Sequence, residues 1–280
     1  MQTAPKPATA ATAAANHAVL SELPFDDTAD FADAVRGHIA PLPEGIIRSA
    51  TGRTVWDLNE YAFLEREDAP PEVNPSLWRL ARLNLANGLF EVCPGIYQIR
   101  GIDLANMTIV EGERGIVVID ALTNAESAAA ALALYRAHRG DRPVTALIYT
   151  HSHSDHYGGA LGVASLDDVR EGRVAVIAPD KFMEELGAEM VLAGIPMLRR
   201  AQFQFGPTLA RGERGQVDAG LGKRTGTGTS TLLPPTDLIV QPVERRTVDG
   251  VEIVFQMAPE TEAPAEMHLY LPQHRVLNLS

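Results

Sequence analysis

The segment Ile148-Tyr149-Thr150-His151-Ser152-His153-Ser154-Asp155-His156-Tyr157-Gly158-Gly159 holds three of the chain's eight histidines and an aspartate within a few positions. It directly follows an apolar run that reads as a buried strand. Side chains at i, i+2 and i+4 of an extended stretch share one side. His151, His153 and Asp155 are therefore expected to converge, while His156 turns to a neighbouring position as a helix begins. Imidazole and carboxylate donors together suit Zn²⁺, Mn²⁺ or Fe. The bland alternative is a helix-start loop of surface histidines, with Asp155 acting only as a cap. So many ligand-type residues at the end of one buried strand favour a metal site.

The surrounding elements must position this motif. Asn74-Pro75 predicts an N-cap and first turn for a helix over 76–87, closed by Gly88. Runs at 89–92 and 96–99 flank the turn Cys93-Pro94-Gly95, and runs at 107–110 and 116–119 flank Glu113-Arg114-Gly115. Thr123 or Asn124 can cap an alanine-rich helix reaching about His138, and a strand at 145–149 then feeds the motif. A helix after Tyr157, a strand at 174–177 and a helix at about 180–192 follow. The stretch 199–231 reads as a long ordered loop, and strands return at 238–241, 251–257, 267–271 and 275–279. Strands that meander and then alternate with helices predict a layered α/β architecture with a mixed sheet. Upstream, residues 1–17 read as a flexible arm, and 18–72 as Pro-rich loops with a short helical signal at 31–35 and a solvated acidic stretch. The domain division expected is an irregular segment over 1–72 and an α/β domain over 73–280.

Composition removes several classes. A formal charge of −12 argues against nucleic acid or an anionic membrane as partner, since both need clustered Lys and Arg. No stretch approaches the roughly 18 uninterrupted apolar residues of a membrane span. The alanine-rich N-terminus carries only Lys6 as early charge and is broken by Thr9, Thr12, Asn16 and His17, so no signal peptide is expected and a cytoplasmic location follows. Cys93 is the single cysteine, so no intrachain disulfide forms, and the thiol reads as a small core hydrophobe.

Written as His-x-His-x-Asp-His, the motif resembles that of the metallo-β-lactamase superfamily, whose fold is an αββα sandwich. The resemblance implies that His151 and His153 hold one metal ion and that Asp155 and His156 hold a second. Asp120, at the end of an apolar strand, sits where such folds often carry an acid near the metals, although a plain strand-end acid is an equal reading. The stretches 101–112, 216–223 and 261–267 narrow the likeness to zinc-dependent alkyl sulfatases, over nearly the whole chain. That family draws a glutamate ligand for the first metal from a late loop, and the match falls on Glu262. From chemistry alone Glu260, Glu262 and Glu266 compete.

The resemblance thus implies hydrolysis of alkyl sulfate esters to alcohol and inorganic sulfate by hydroxide bound between two Zn²⁺ ions, with Asp155 orienting that hydroxide. A small-molecule alkyl sulfate would be the substrate and a homodimer the assembly of the complete protein. Alternatives are another hydrolase of the superfamily, such as a lactonase or thioesterase, or a non-catalytic fragment. The window 199–224 holds Arg199, Arg200, Arg211, Arg214, Lys223 and Arg224 against Glu213 and Asp218, the one basic stretch suited to an anion. Met190, Val191, Leu192, Ile195, Met197 and Leu198 could line an alkyl channel or pack as a helical core. The family also needs a further glutamate and a further histidine. Only His268 and His274 follow the motif, neither placed as a ligand, so the expectation is an N-terminal fragment with an αββα sandwich incomplete at its C-terminus.

Overall fold

The structure, a computed structural model, describes residues 5–279. Its strands, in chain order, begin with β1 (His38–Ala40), β2 (Ile46–Arg48), β3 (Thr54–Asp57), β4 (Gly88–Cys93), β5 (Ile96–Arg100), β6 (Met107–Glu111) and β7 (Ile116–Ile119). They continue with β8 (Val144–Ile148), β9 (Ala175–Pro179), β10 (Asp237–Ile239), β11 (Val243–Val248), β12 (Val251–Met257), β13 (Met267–Leu271) and β14 (Val276–Asn278).

The first sheet has the order β1-β4-β5-β6-β7-β8-β9-β10. It is antiparallel as far as β7 and parallel from β7 to β10. The change has a local cause. A tight hairpin joins β6 to β7, whereas β7 reaches β8 only through the helix Ala125–Arg139, and a crossover makes neighbours parallel. Parallel strands end on a common edge, so the residues leaving β7 and β8 meet there. Asn124 caps the crossover helix by accepting from Ser127 N at 2.8 Å, while Thr123 instead donates to Asp103 at 2.7 Å.

One face of this sheet buries against the helical layer through Ala128, Ala131, Leu132, Tyr135, Leu147 and Tyr149. The other packs on a second sheet, β11-β12-β13-β14, where Val117, Ile119, Ala146 and Ile148 meet Ile253, Phe255, Met267 and Leu269. Strands buried on both faces read as continuous apolar runs, as 116–119 and 144–148 do. Each fully buried Ile or Phe contributes about 1.5–3 kcal/mol. The two sheets touch at the motif itself: Met267 N donates to Thr150 O at 2.9 Å, and His151 bridges to Glu266.

Several expectations need correction. Residues 10–22 are not a flexible arm: Ala10–Glu22 is an exposed helix capped by Thr9, and residues 1–4 lie outside the described residues. The segment 18–72 is more regular than its composition implies, since β1 joins the first sheet and Ile47, Val55 and Trp56 enter its core. The helix from Pro75 stops at Leu83 with Asn84 as its C-cap, and Gly88, instead of closing it, opens β4 at φ 110, where a Cβ would stand 2.0 Å from Ala40 O. Residues 199–205 are not loop: they belong to the helix Gly194–Phe205. Strand β11 escaped prediction because its alternate residues are only half-buried. The run 275–279 shortens to Val276–Asn278, and Ser280 lies outside the described residues.

Candidate metal centre

The motif leaves β8 extended only as far as His153, then turns into the short helix Ser154–Tyr157. That turn changes the expected grouping. His151 and His153 do share a side, but Asp155 does not join them. The third donor is Glu262: His151, His153 and Glu262 each offer one ligand atom, all within 4.8 Å of one another. His151 Nε2 lies 3.0 Å from His153 Nδ1, and Glu262 Oε1 lies 3.9 Å and 3.6 Å from these atoms. Asp155 faces His156 instead, with Oδ2 at 3.6 Å from Nε2. The rings of His151 and His156 are 4.0 Å apart, so the pair adjoins the triad.

Asp120 organises both groups. Its carboxylate accepts from Thr150 N at 2.9 Å and from the Thr150 hydroxyl at 2.8 Å, and it receives His156 Nδ1 at 2.8 Å. The Thr150 oxygen in turn meets His151 Nδ1 at 3.0 Å. With the hydroxyl proton given to Asp120, that oxygen accepts from Nδ1–H of His151, which leaves His151 Nε2 as a lone pair facing the site. The local backbone is forced: Asp120 and Leu122 have φ 61 and 63, a conformation costing about 1–3 kcal/mol each. Gly158 and Gly159 let the motif pack against this corner, since a Cβ on Gly159 would stand 1.9 Å from Ala121 O.

Burial, aided by the neighbouring His156 charge, lowers His151 to about 4, so it is neutral at pH 7. Burial also opposes charge on His156, but the Asp120 carboxylate outweighs it and raises His156 to about 9.

The three competing glutamates separate cleanly. Glu266 is 2% exposed and accepts from Glu262 N at 2.6 Å and Ala263 N at 2.9 Å, so it shapes the loop that carries Glu262. Glu260 is exposed at the loop tip. Only Glu262 reaches the histidines. This triad fits a divalent metal: two imidazole nitrogens 3.0 Å apart and one carboxylate oxygen converge on a common space. Donors at roughly 2.0–2.1 Å from a tetrahedral zinc stand about 3.4 Å from each other.

The basic window is mostly committed elsewhere. Lys223 is buried against Asp218 at 3.2 Å, Arg214 pairs with Glu72 at 2.8 Å, and Arg211 and Arg224 flank Glu60. The apolar residues after Glu189 are not core: Val191 is 82% and Leu192 80% exposed. Sequence reasoning missed Thr150, although it stands beside His151, and Glu189, whose Oε1 lies 3.4 Å from His153 Nε2. No local signal marks Glu189, because it arrives from a distant helix.

A two-sheet α/β sandwich with imidazole and carboxylate donors gathered where its sheets meet defines a metal-binding domain of the metallo-hydrolase kind. The metallo-beta-lactamase superfamily profile matches residues 100–277, and the chain belongs to that superfamily, which implies a metal cofactor. Among its relatives, a Pseudomonas sp. (R)-specific secondary-alkylsulfatase is 53% identical over 98% of this chain and 41% of its own length. The Saccharomyces cerevisiae alkyl/aryl-sulfatase BDS1 is 50% identical over 95% of this chain and 41% of its own. The solved stereoselective inverting sec-alkylsulfatase Pisa1 from Pseudomonas sp. superposes with TM-score 0.95 at 52% identity, covering 100% of this chain and 44% of that one. The chain thus spans about two fifths of the curated relatives it matches. Among the described residues, no helix is long and apolar enough to cross a membrane.

Proposed function

We propose that this chain is the metal-binding part of a zinc-dependent alkyl sulfatase, hydrolysing alkyl sulfate esters to alcohol and inorganic sulfate. The observation that carries this reading is 50–53% identity, over nearly the whole chain, to relatives named as alkylsulfatases. His151, His153 and Glu262 would hold one zinc ion, and Asp155 with His156 would contribute to a second. When bound, such ions lower the pKa of water toward neutrality and stabilise charge developing on the ester oxygens.

The protein's own groups do the rest. Asp120 and Thr150 hold the histidine rings with their free nitrogens toward the site. Asp155, an acceptor beside His156, orients the attacking water. A sulfate monoester carries one negative charge and leaves as sulfate, so positioning accounts for most of the work. The reading includes a homodimer, for which the exposed apolar side chains of Val191, Leu192, Ile195, Leu198 and Phe203 offer surface.

Purified chain supplied with dodecyl sulfate and a secondary alkyl sulfate, next to a lactone and a thioester, tests the reading. Sulfate release that His153→Ala and a chelator both abolish is the expected result. Turnover of only the lactone or thioester would sink it, and zinc uptake without any turnover would reduce the chain to a non-catalytic metal binder.

A further inference from the structure

Every histidine of the motif has an outer partner, and the partners come from different places. His156 Nδ1 meets Asp120 at 2.8 Å, and His151 Nδ1 meets the Thr150 hydroxyl at 3.0 Å. Both partners stand at the ends of the parallel strands. His153 uses its nitrogens the other way round: Nδ1 faces His151 Nε2 at 3.0 Å and Glu262 Oε1 at 3.6 Å, while Nε2 faces Glu189 Oε1 at 3.4 Å.

Glu189 opens the π-helical turn Glu189–Ala193, set between the helices Phe182–Ala188 and Gly194–Phe205. π-turns insert an extra residue into a helix and often occur at functional sites. Here the turn divides side chains sharply. Met190, Val191 and Leu192 are 60%, 82% and 80% exposed, whereas the Glu189 side chain is 20% exposed and turned toward the motif. A half-buried carboxylate is costly without a partner, and His153 is the partner within reach.

We propose that Glu189 is a positioning residue of the metal centre. It accepts the Nε2–H of His153 and so keeps the proton off Nδ1, the nitrogen shared with His151 and Glu262. This rests on the reading of His151, His153 and Glu262 as metal ligands. A neutral imidazole has one N–H, and the group bonded to that hydrogen fixes both tautomer and ring orientation. Glu189 also ties His153 to the helical segment carrying the exposed apolar residues, so the packing of that segment reaches the metal site through one carboxylate.

Three chains decide the matter: the parent, Glu189→Leu, which removes acceptor and charge, and Glu189→Gln, which keeps an acceptor oxygen. Zinc affinity is read by competition with a chromophoric chelator, and ligand geometry by the visible absorption of the Co²⁺-loaded chain. Glu189→Leu is expected to weaken zinc roughly 10–100-fold. It should also alter the Co²⁺ spectrum, with Glu189→Gln restoring most of both. Zinc binding and spectrum unchanged in Glu189→Leu overturn the proposal. Imidazole ¹⁵N shifts of the metal-free chain give a separate answer. The Nε2–H tautomer of His153 in the parent, lost in Glu189→Leu, supports the role, and the same tautomer in both overturns it. A parent that binds zinc no better than His153→Ala sinks the ligand reading instead, and the ¹⁵N result still decides the part played by Glu189.

Discussion

At the residue scale, Asp120 is the group on which most of the site converges. It binds His156 directly and His151 through Thr150. Burial opposes charge on His156, but the Asp120 carboxylate raises it from 6.5 to about 9. A raised histidine stabilises the fold fully below pH 6.5 and loses that contribution as pH rises through about 9, because the folded state then releases a proton the unfolded state has already lost. His151 has the opposite sign: lowered to about 4, it costs stability as pH falls below 6.5, where only the unfolded chain takes up the proton. Thermal midpoints of metal-free chain should therefore decline between pH 6.5 and about 9, and Asp120→Asn should flatten that decline. An unchanged slope in the variant would remove Asp120 as the cause. The same variant should weaken zinc by roughly 10–100-fold, as loss of an outer partner does. The histidines were legible from spacing alone. Glu262 was legible only through the family resemblance, since three glutamates share its loop and reach to the histidines, not sequence, separates them. Spacing alone grouped Asp155 with His151 and His153, whereas the resemblance set it beside His156, where it lies because a helical turn begins at Ser154.

At the scale of elements, the stretch 206–231 has little regular structure yet lies ordered against the helix Pro75–Leu83. The lock is Lys223, whose side chain is 1% exposed. Its ammonium donates to Ala81 O and pairs with Asp218 at 3.2 Å, and Asn84 donates to the same carboxylate at 3.1 Å. Burial lowers Lys223 to about 8 despite Asp218. Removing one partner of a buried pair strands the other, at a cost of about 3–5 kcal/mol. Lys223→Met should therefore destabilise the chain by that order in denaturant unfolding, and Lys223→Met with Asp218→Leu should recover much of it. A double variant as unstable as the single one would show that the pair is not a closed unit. Nothing in the local sequence identifies Lys223 as buried: Asp218 is near in sequence, but the helix that covers the pair and supplies Ala81 O is not. The same limit explains the helix predicted to run on past Leu83: Asn84 and Asn87 spend their side chains on Asp218 and on Leu42 N rather than on the helix.

At the scale of the whole molecule, the layered architecture was the most legible feature, because buried parallel strands announce themselves as unbroken apolar runs. The joining of the two sheets was not, and it is that junction which gathers His151, His153 and Glu262. His151 and His153 leave the first sheet, while Glu262 stands on the loop entering β13 of the second. On the proposed reading, His151, His153 and Glu262 come together only when the sheets are packed, so a metal held by all three must stabilise the packed state over the unfolded one. Ligand at about 100 times its Kd adds about 2.7 kcal/mol to a fold that alone binds it. In a domain of this size that is roughly a 5–10 °C rise in Tm. Zinc should raise the melting temperature of the chain by this amount, increasingly with concentration. Glu262→Gln, on the second sheet, should abolish the rise as fully as His153→Ala on the first, while Glu260→Gln leaves it intact. A rise that survives Glu262→Gln would mean that the motif binds zinc without the second sheet, and that the junction is not the site.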